Sequence, residues 1–136
     1  MSNDSESIRF LHKLEGMTIK GNVDGKVYLV LDQKLCRLTT QYVLDSLIKL
    51  DPTGVKSLPQ GMIDEMPKGE EFGEPTWLIE GDEGIFLVSN GKKRHVRDSE
   101  AMVRYAFNWG RVVKVGGELK MYETGADIRW IDGKRS

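Results

Sequence analysis

Lys92-Lys93-Arg94-His95-Val96-Arg97 is the strongest local electrostatic feature of this 136-residue chain. Alternation along a strand would put Lys92, Arg94 and Val96 on one face, and Lys93, His95 and Arg97 on the other. With Arg104 and Arg111 close by in the sequence, such a run could grip a phosphate, a carboxylate or an acidic glycan. The competing reading is a solvated hairpin edge whose lysines discourage strand-to-strand association. No aromatic residue is interleaved in the run, so base stacking has nothing to work with and nucleic acid is disfavoured as a partner.

Aromatic side chains supply a second kind of chemistry, because a ring face packs against the C–H face of a pyranose. Trp77, Trp109 and Trp130 all fall in the second half of the chain and have no clear counterparts in the first. Trp109, at a helix corner, is expected to lid the core with its indole N–H on a carbonyl. Trp130, following Arg129 and two residues before Asp132, is expected to be the most exposed of the three. The candidate ligand-binding set is therefore Lys92, Lys93, Arg94, His95, Arg97, Trp109 and Trp130.

Catalysis finds little support. His95 has the intrinsic pKa of an acid–base residue, but no serine or cysteine nucleophile motif brackets it. Cys36 is expected to be a small buried hydrophobe rather than a nucleophile. The carboxylate pairs Asp64-Glu65, Glu70-Glu71 and Asp82-Glu83 sit in loop or helix-surface contexts, which favours solvated acids over glycosidase chemistry. Neither Gly116-Gly117 nor any other glycine stretch forms a phosphate loop. One cysteine and two histidines can assemble neither an internal disulfide nor a metal framework. The expectation is a non-enzymatic chain with no catalytic residue, no metal and no cofactor.

The totals agree with a soluble globular protein: 39% hydrophobic and 30% charged residues, with 20 Lys+Arg against 21 Asp+Glu. A net charge of −1 creates no global field for a polyanion. The polar, acidic start Met1-Ser2-Asn3-Asp4-Ser5-Glu6 lacks the basic and apolar regions of a Sec signal. Apolar runs are too short for a membrane span. A cytoplasmic location, or release without a classical signal peptide, is the default expectation.

The elements that must position these residues come twice. Val27-Tyr28-Leu29-Val30 and Ile85-Phe86-Leu87-Val88 lie 58 positions apart, and at the same spacing Leu38 matches Val96, Thr40 matches Asp98, Leu44 matches Met102 and Leu47 matches Tyr105. Such a fixed period marks a duplicated supersecondary unit. In the first copy a strand near Met17–Lys20 turns through Asn22-Val23-Asp24-Gly25 into Lys26–Leu31, then through Asp32-Gln33 into Lys34–Leu38. Thr40 caps a helix whose stripe is Val43, Leu44, Leu47 and Ile48, with Asp51-Pro52-Thr53-Gly54 as its stop. A short helix is expected over Gln60–Met66.

The second copy starts at Trp77-Leu78-Ile79, after a loop two residues shorter. Ile85–Ser89 and Lys92–Arg97 flank Asn90-Gly91, the strongest hairpin signal in the chain. Asp98 caps a helix with the stripe Ala101, Met102, Tyr105 and Ala106, ended at Asn108-Trp109-Gly110 by glycine. A second short helix is expected over Glu118–Tyr122. Neither copy alone buries enough surface for comfort. The fold expectation is α+β: two pseudo-symmetric strand-hairpin-helix (ββα-type) repeats packed as one compact domain. Its seam should hold Val27, Leu29, Leu44, Leu47, Ile85, Leu87, Met102 and Phe107. The expected divisions are a tail and lead-in over 1–13 (residues 1–7 loose, 8–14 docking on the first repeat), repeats over 14–74 and 75–131, and a tail over 132–136.

The run from Ile85 through Asn90-Gly91-Lys92-Lys93-Arg94-His95-Val96, followed by Phe107-Asn108-Trp109, Val112-Val113, Glu118-Leu119, Tyr122 and Gly125, resembles a tandem repeat of bacterial surface and wall-associated proteins. In that repeat a YLV-x-x-G-K-K-R-H-I-P hairpin precedes a helix and an F-x-W corner. The resemblance implies a non-catalytic module with no assigned ligand. The first half departs from it, with Lys34-Leu35-Cys36-Arg37 in place of the basic run and Leu50-Asp51-Pro52 in place of the aromatic corner.

Two functions follow as expectations. The first is lectin-like, non-enzymatic recognition of a glycan or anionic ligand by the 92–97 hairpin and nearby aromatics. The second is a protein-interaction subunit, such as a toxin component, immunity factor or adaptor, bound to a partner or to a second copy. A small hydrolase or transferase built on His95 is the least supported and would need a deep pocket joining His95 to a carboxylate.

Overall fold

Val27 to Leu31 carries no charged residue, and in the computed structural model apolar partners cover both of its faces. The structure describes residues 4–50, 54–115, 117 and 119–130. It is α+β, with two sheets and four helices among the described residues.

The first sheet holds β1 (Thr18–Gly21), β2 (Val27–Leu31), β3 (Lys34–Leu38) and β4 (Lys56–Leu58) in the order β3-β2-β1-β4. β2 is antiparallel to both neighbours, while β4 runs parallel to β1. Asp32 and Gln33 both adopt left-handed φ (56° and 63°), the geometry a two-residue hairpin demands. Helix α2 (Gln41–Leu47) lies between β3 and β4 and starts at Thr40, whose hydroxyl accepts the Val43 N–H at 3.1 Å. Helix α3 (Gln60–Glu65) follows β4.

The second sheet holds β5 (Trp77–Gly81), β6 (Gly84–Ser89), β7 (Lys92–His95), β8 (Val113–Lys114) and β9 (Glu123–Thr124) in the order β8-β5-β6-β7-β9. Asn90 and Gly91 make the β6–β7 turn with φ of 54° and 78°. Helix α4 (Ser99–Arg104) starts at Asp98, whose carboxylate accepts the Ala101 N–H at 2.7 Å.

Alternation assigns each sheet an inner and an outer face. Leu29, Cys36 and Leu38 of the first sheet and Leu78, Leu87 and Val96 of the second join Leu44, Leu47, Met102 and Phe107 in one cluster. All eight expected seam residues belong there, with Val27 and Ile85 at its margin. The outer face of the first sheet packs Ile19, Tyr28, Val30 and Leu35 against Ile63 of α3 and against Leu11 and Leu14. On the second sheet Ile79, Phe86 and Val88 pack with Leu119 and Tyr122.

Four local expectations are corrected. Residues 4–14 form helix α1 (Asp4–Leu14) rather than a loose tail and short lead-in, and Leu11 and Leu14 anchor it on the first sheet. Helix α2 ends at Leu47, because Ile48 leaves the helix to bridge Phe107; Asp51-Pro52-Thr53, its expected stop, lies outside the described residues. Helix α4 ends at Arg104, and Ala106, not Gly110, takes the left-handed φ (56°) that sends Phe107 into the core. Residues 119–122 form turns rather than a helix; Glu118 and the tail over 132–136 lie outside the described residues. No described helix is long and apolar enough to cross a membrane.

Candidate ligand-binding hairpin

The basic run alternates as expected, but Lys93, Arg94 and Arg97 are engaged by the protein itself. Arg94 faces inward opposite Leu87 and is only 12% exposed. Its Nε donates to the Ala126 carbonyl at 2.8 Å, and a terminal nitrogen donates to Asp32 at 2.7 Å. Val96 continues that face into the shared core. On the opposite face, Phe86 gathers the other members: His95 stacks on its ring at 4.7 Å, and the Lys93 ammonium lies 5.6 Å from the ring centre. Lys93 Nζ also donates to the Leu119 carbonyl at 2.8 Å. Arg97 reaches His95 Nδ1 at 2.9 Å and Asp127 at 3.4 Å. Lys92, beside the turn, is exposed.

His95 therefore has an arginine against one ring nitrogen and a phenylalanine under its face, not the carboxylate partner that base catalysis would want. Burial pushes the Cys36 thiol up to about 12, so it stays protonated at neutral pH, inside the core. Among the described residues no cluster of three or more His, Cys, Asp or Glu could hold a metal ion.

The two tryptophans exchange their expected roles. Phe107 fills the core at the corner, which leaves Trp109, two residues on, 52% exposed. Trp130 is half-buried: Tyr105 meets its ring edge-on at 5.6 Å, and the Arg104 guanidinium lies 5.3 Å from it. Arg104 also pairs with Glu100 at 3.2 Å.

A cleft at the tip of the same hairpin was not legible in the sequence. It has a volume of about 140 Å³ and is lined by Pro75, Trp77, Val88 and Tyr122 together with Glu74, Asn90 and Gly91. Trp77 is 38% exposed there. Register places Trp77 opposite Val88 across β5 and β6, and β9 pairing with β7 brings the chain next to Tyr122 alongside. Asn90 Nδ2 donates to Glu70 at 2.7 Å and to the Glu71 carbonyl at 3.0 Å, which fixes the turn. Only the tryptophan itself was a signal; the approach of Tyr122 depends on a short parallel pairing that no local pattern announces. A larger cleft, about 530 Å³, opens where Met17, Ile48 and Leu50 meet Ala106, with Lys49 and Lys56 on its walls.

No protein-family model, curated protein or solved structure matches this chain significantly.

Proposed function

We propose that this chain is a non-enzymatic glycan-binding module that takes one sugar ring in the cleft between Trp77 and Tyr122. The cleft is the observation that carries the reading: Trp77 and Tyr122 both line it, and the turn it adjoins is held by the Asn90 amide on Glu70 and Glu71. At about 140 Å³ it is well below the ~300–1,000 Å³ of pockets for drug-sized ligands, which suits a terminal monosaccharide. A turn already held by Glu70 and Glu71 spends little on ordering when a ligand arrives. Lys92, exposed and adjacent to Gly91, would favour an acidic sugar over a neutral one. A glycan array probed with the full chain, followed by NMR titration of the best sugar, tests this. Binding should be lost in Trp77→Ala and kept in Trp109→Ala; a blank array, or binding unchanged in Trp77→Ala, overturns it.

The same reading includes a duplicated unit. Strand order supports it: the fourth strand of each sheet runs parallel to the first. Register supports it too, since Ile19 faces Tyr28 as Ile79 faces Phe86. So do the chains that flank the third strands, where Gly69 bonds Leu35 and Phe72 bonds Arg37, as Gly125 bonds Lys93 and Ile128 bonds His95. The likeness to the tandem surface repeat rests on the second-half run from Ile85 to Val96 with Phe107-Asn108-Trp109, Val112-Val113, Glu118-Leu119, Tyr122 and Gly125.

A protein-interaction role is the second reading, favoured by exposed Trp109, Val113 and Val115 on the segment that forms edge strand β8. Exposed apolar side chains on a sheet edge invite a partner. Light scattering on the eluting chain distinguishes the two. A dimer disrupted by Trp109→Ala and Val113→Asp favours association, and a monomer at all concentrations counts against self-association.

A further inference from the structure

Arg37 is the one arginine whose Nε is shielded from solvent and has no hydrogen-bond partner among the described residues. A guanidinium N–H removed from water without an acceptor is costly, so a small turn of the side chain that presents it to an acceptor in the adjoining cleft would relieve that cost. Register places Arg37 opposite Tyr28 across β2 and β3. Lys26, two residues before Tyr28, and Thr39, two after Arg37, fall on that same outer face. Two clefts meet at this point, and both are lined by Lys26 and Arg37.

The larger of these, about 160 Å³, has Thr39, Thr40 and Gln41 on its other side and no carboxylate among its lining residues. The smaller, about 140 Å³, contains Glu71 and Lys68. The Lys68 ammonium is already committed to the carbonyls of Ile63 and Met66, at 2.8 and 2.7 Å. Nearby acids are occupied as well. Asp24 accepts the Lys26 N–H and a Gln60 amide hydrogen, and Glu74 accepts the Thr40 hydroxyl.

We infer that Arg37 and Lys26 form a binding site for a phosphate group, free or carried as a phosphomonoester, beside Thr39 and Thr40, whose hydroxyl hydrogens already go to the Phe72 carbonyl and to Glu74. Guanidinium and ammonium donors match the several acceptor oxygens of a phosphate, and charge-assisted bonds of this type are the strong ones. Lys93, Arg94 and Arg97 of the second half's basic run meet carbonyls and carboxylates of the protein, so the unmet guanidinium donor lies in the first half. The site is separate from the Trp77 cleft and stands or falls independently of it.

NMR titration of the full chain with inorganic phosphate, sodium sulfate and glucose 6-phosphate provides the test. Phosphate should shift the amides of Lys26 and of residues 37–41 saturably, and Arg37→Gln should weaken binding by about tenfold or more. Lys26→Gln should weaken it less, and Trp77→Ala should leave it unchanged. Binding of glucose 6-phosphate should strengthen as its second proton, with a pKa of about 6, is lost, and binding of inorganic phosphate should strengthen likewise at somewhat higher pH; sulfate, whose charge is constant there, should not change. A stronger response to glucose 6-phosphate assigns an ester as ligand, and an equal one assigns the free ion. Absence of saturation at tens of millimolar phosphate overturns the site, as do equal shifts at every basic residue. If Arg37→Gln does not fold, a Lys26→Gln titration indistinguishable from the parent overturns it.

Discussion

Tyr105 donates its hydroxyl hydrogen to Glu15, a carboxylate with no solvent exposure that lies 90 residues earlier in the chain. Glu15 also accepts the backbone N–H groups of Asp32 and Gln33 at 2.8 and 2.9 Å, and the Gln33 side-chain amide at 2.6 Å. One buried carboxylate thus holds the left-handed β2–β3 turn in place and ties it to helix α4 of the other half.

Tyr105→Phe removes a donor to a buried charged group and leaves the ring packing against Phe107 and Trp130 intact. The expected cost is about 1.5–3 kcal/mol of unfolding free energy, read by urea denaturation. A change below a few tenths of a kcal/mol would mean that Glu15 is satisfied without Tyr105.

Alkaline pH should weaken the fold. Burial pushes the Cys36 thiol up to about 12, and burial with the Glu15 hydrogen bond also raises the Tyr105 hydroxyl. Both groups hold their protons longer when folded, so the unfolded chain releases protons first and stability falls as pH rises. The decline should begin near pH 9 and continue through about 12, with a slope of up to roughly 1.4 kcal/mol per pH unit for each group. Cys36→Ser and Tyr105→Phe should each flatten the curve. A thiol reagent at pH 8 should modify Cys36 only as fast as the protein opens.

The pattern of apolar residues was enough to place the seam, both caps and both tight turns, because each is written in neighbouring residues: a stripe at helical spacing, Thr40 or Asp98 before it, and Asn90-Gly91 between strands. What pattern could not show was competition between distant groups. Arg94 reads as a free cation until Asp32 arrives from another hairpin. Trp109 reads as a lid until Phe107 takes the core. Helix α1 was hidden because its apolar positions near Phe10 and Leu11 fit two periods equally. The Trp77–Tyr122 cleft depends on the β7–β9 pairing, two residues long, which has no signature of its own.

Arg94→Met should destabilise the protein while leaving its solution charge pattern nearly intact elsewhere. Its partner Asp32 is 46% exposed and can rehydrate, so the Coulombic part is small. The lost bond to the Ala126 carbonyl and the lost packing of a side chain only 12% exposed set the cost at about 1–2 kcal/mol. Salt should narrow the difference between parent and variant only slightly. A stability loss abolished entirely by salt would assign the whole effect to the ion pair. For the same reason Arg94 variants are poor probes of ligand binding, and Lys92→Gln is the better one.

Gly16 is a point where the first half passes the second with no room for a side chain. Its φ is +90°, and a Cβ there would stand 2.6 Å from the Arg104 carbonyl oxygen and 3.3 Å from the Trp130 ring. The carbonyl belongs to the last turn of α4, so it cannot swing aside as a side chain would. Left-handed strain of about 1–2 kcal/mol for a residue with Cβ adds to about 1–3 kcal/mol of overpacking. Gly16→Ala should therefore cost about 2–5 kcal/mol, and near-ultraviolet circular dichroism should show Trp130 displaced before the chain unfolds. Gly25 has an equally left-handed φ, +72°, with nothing within 4 Å of a built Cβ. Gly25→Ala should incur the conformational part alone and leave the Trp130 signal unchanged. If the two variants lose the same stability, the close approach at Gly16 contributes nothing to holding the halves together.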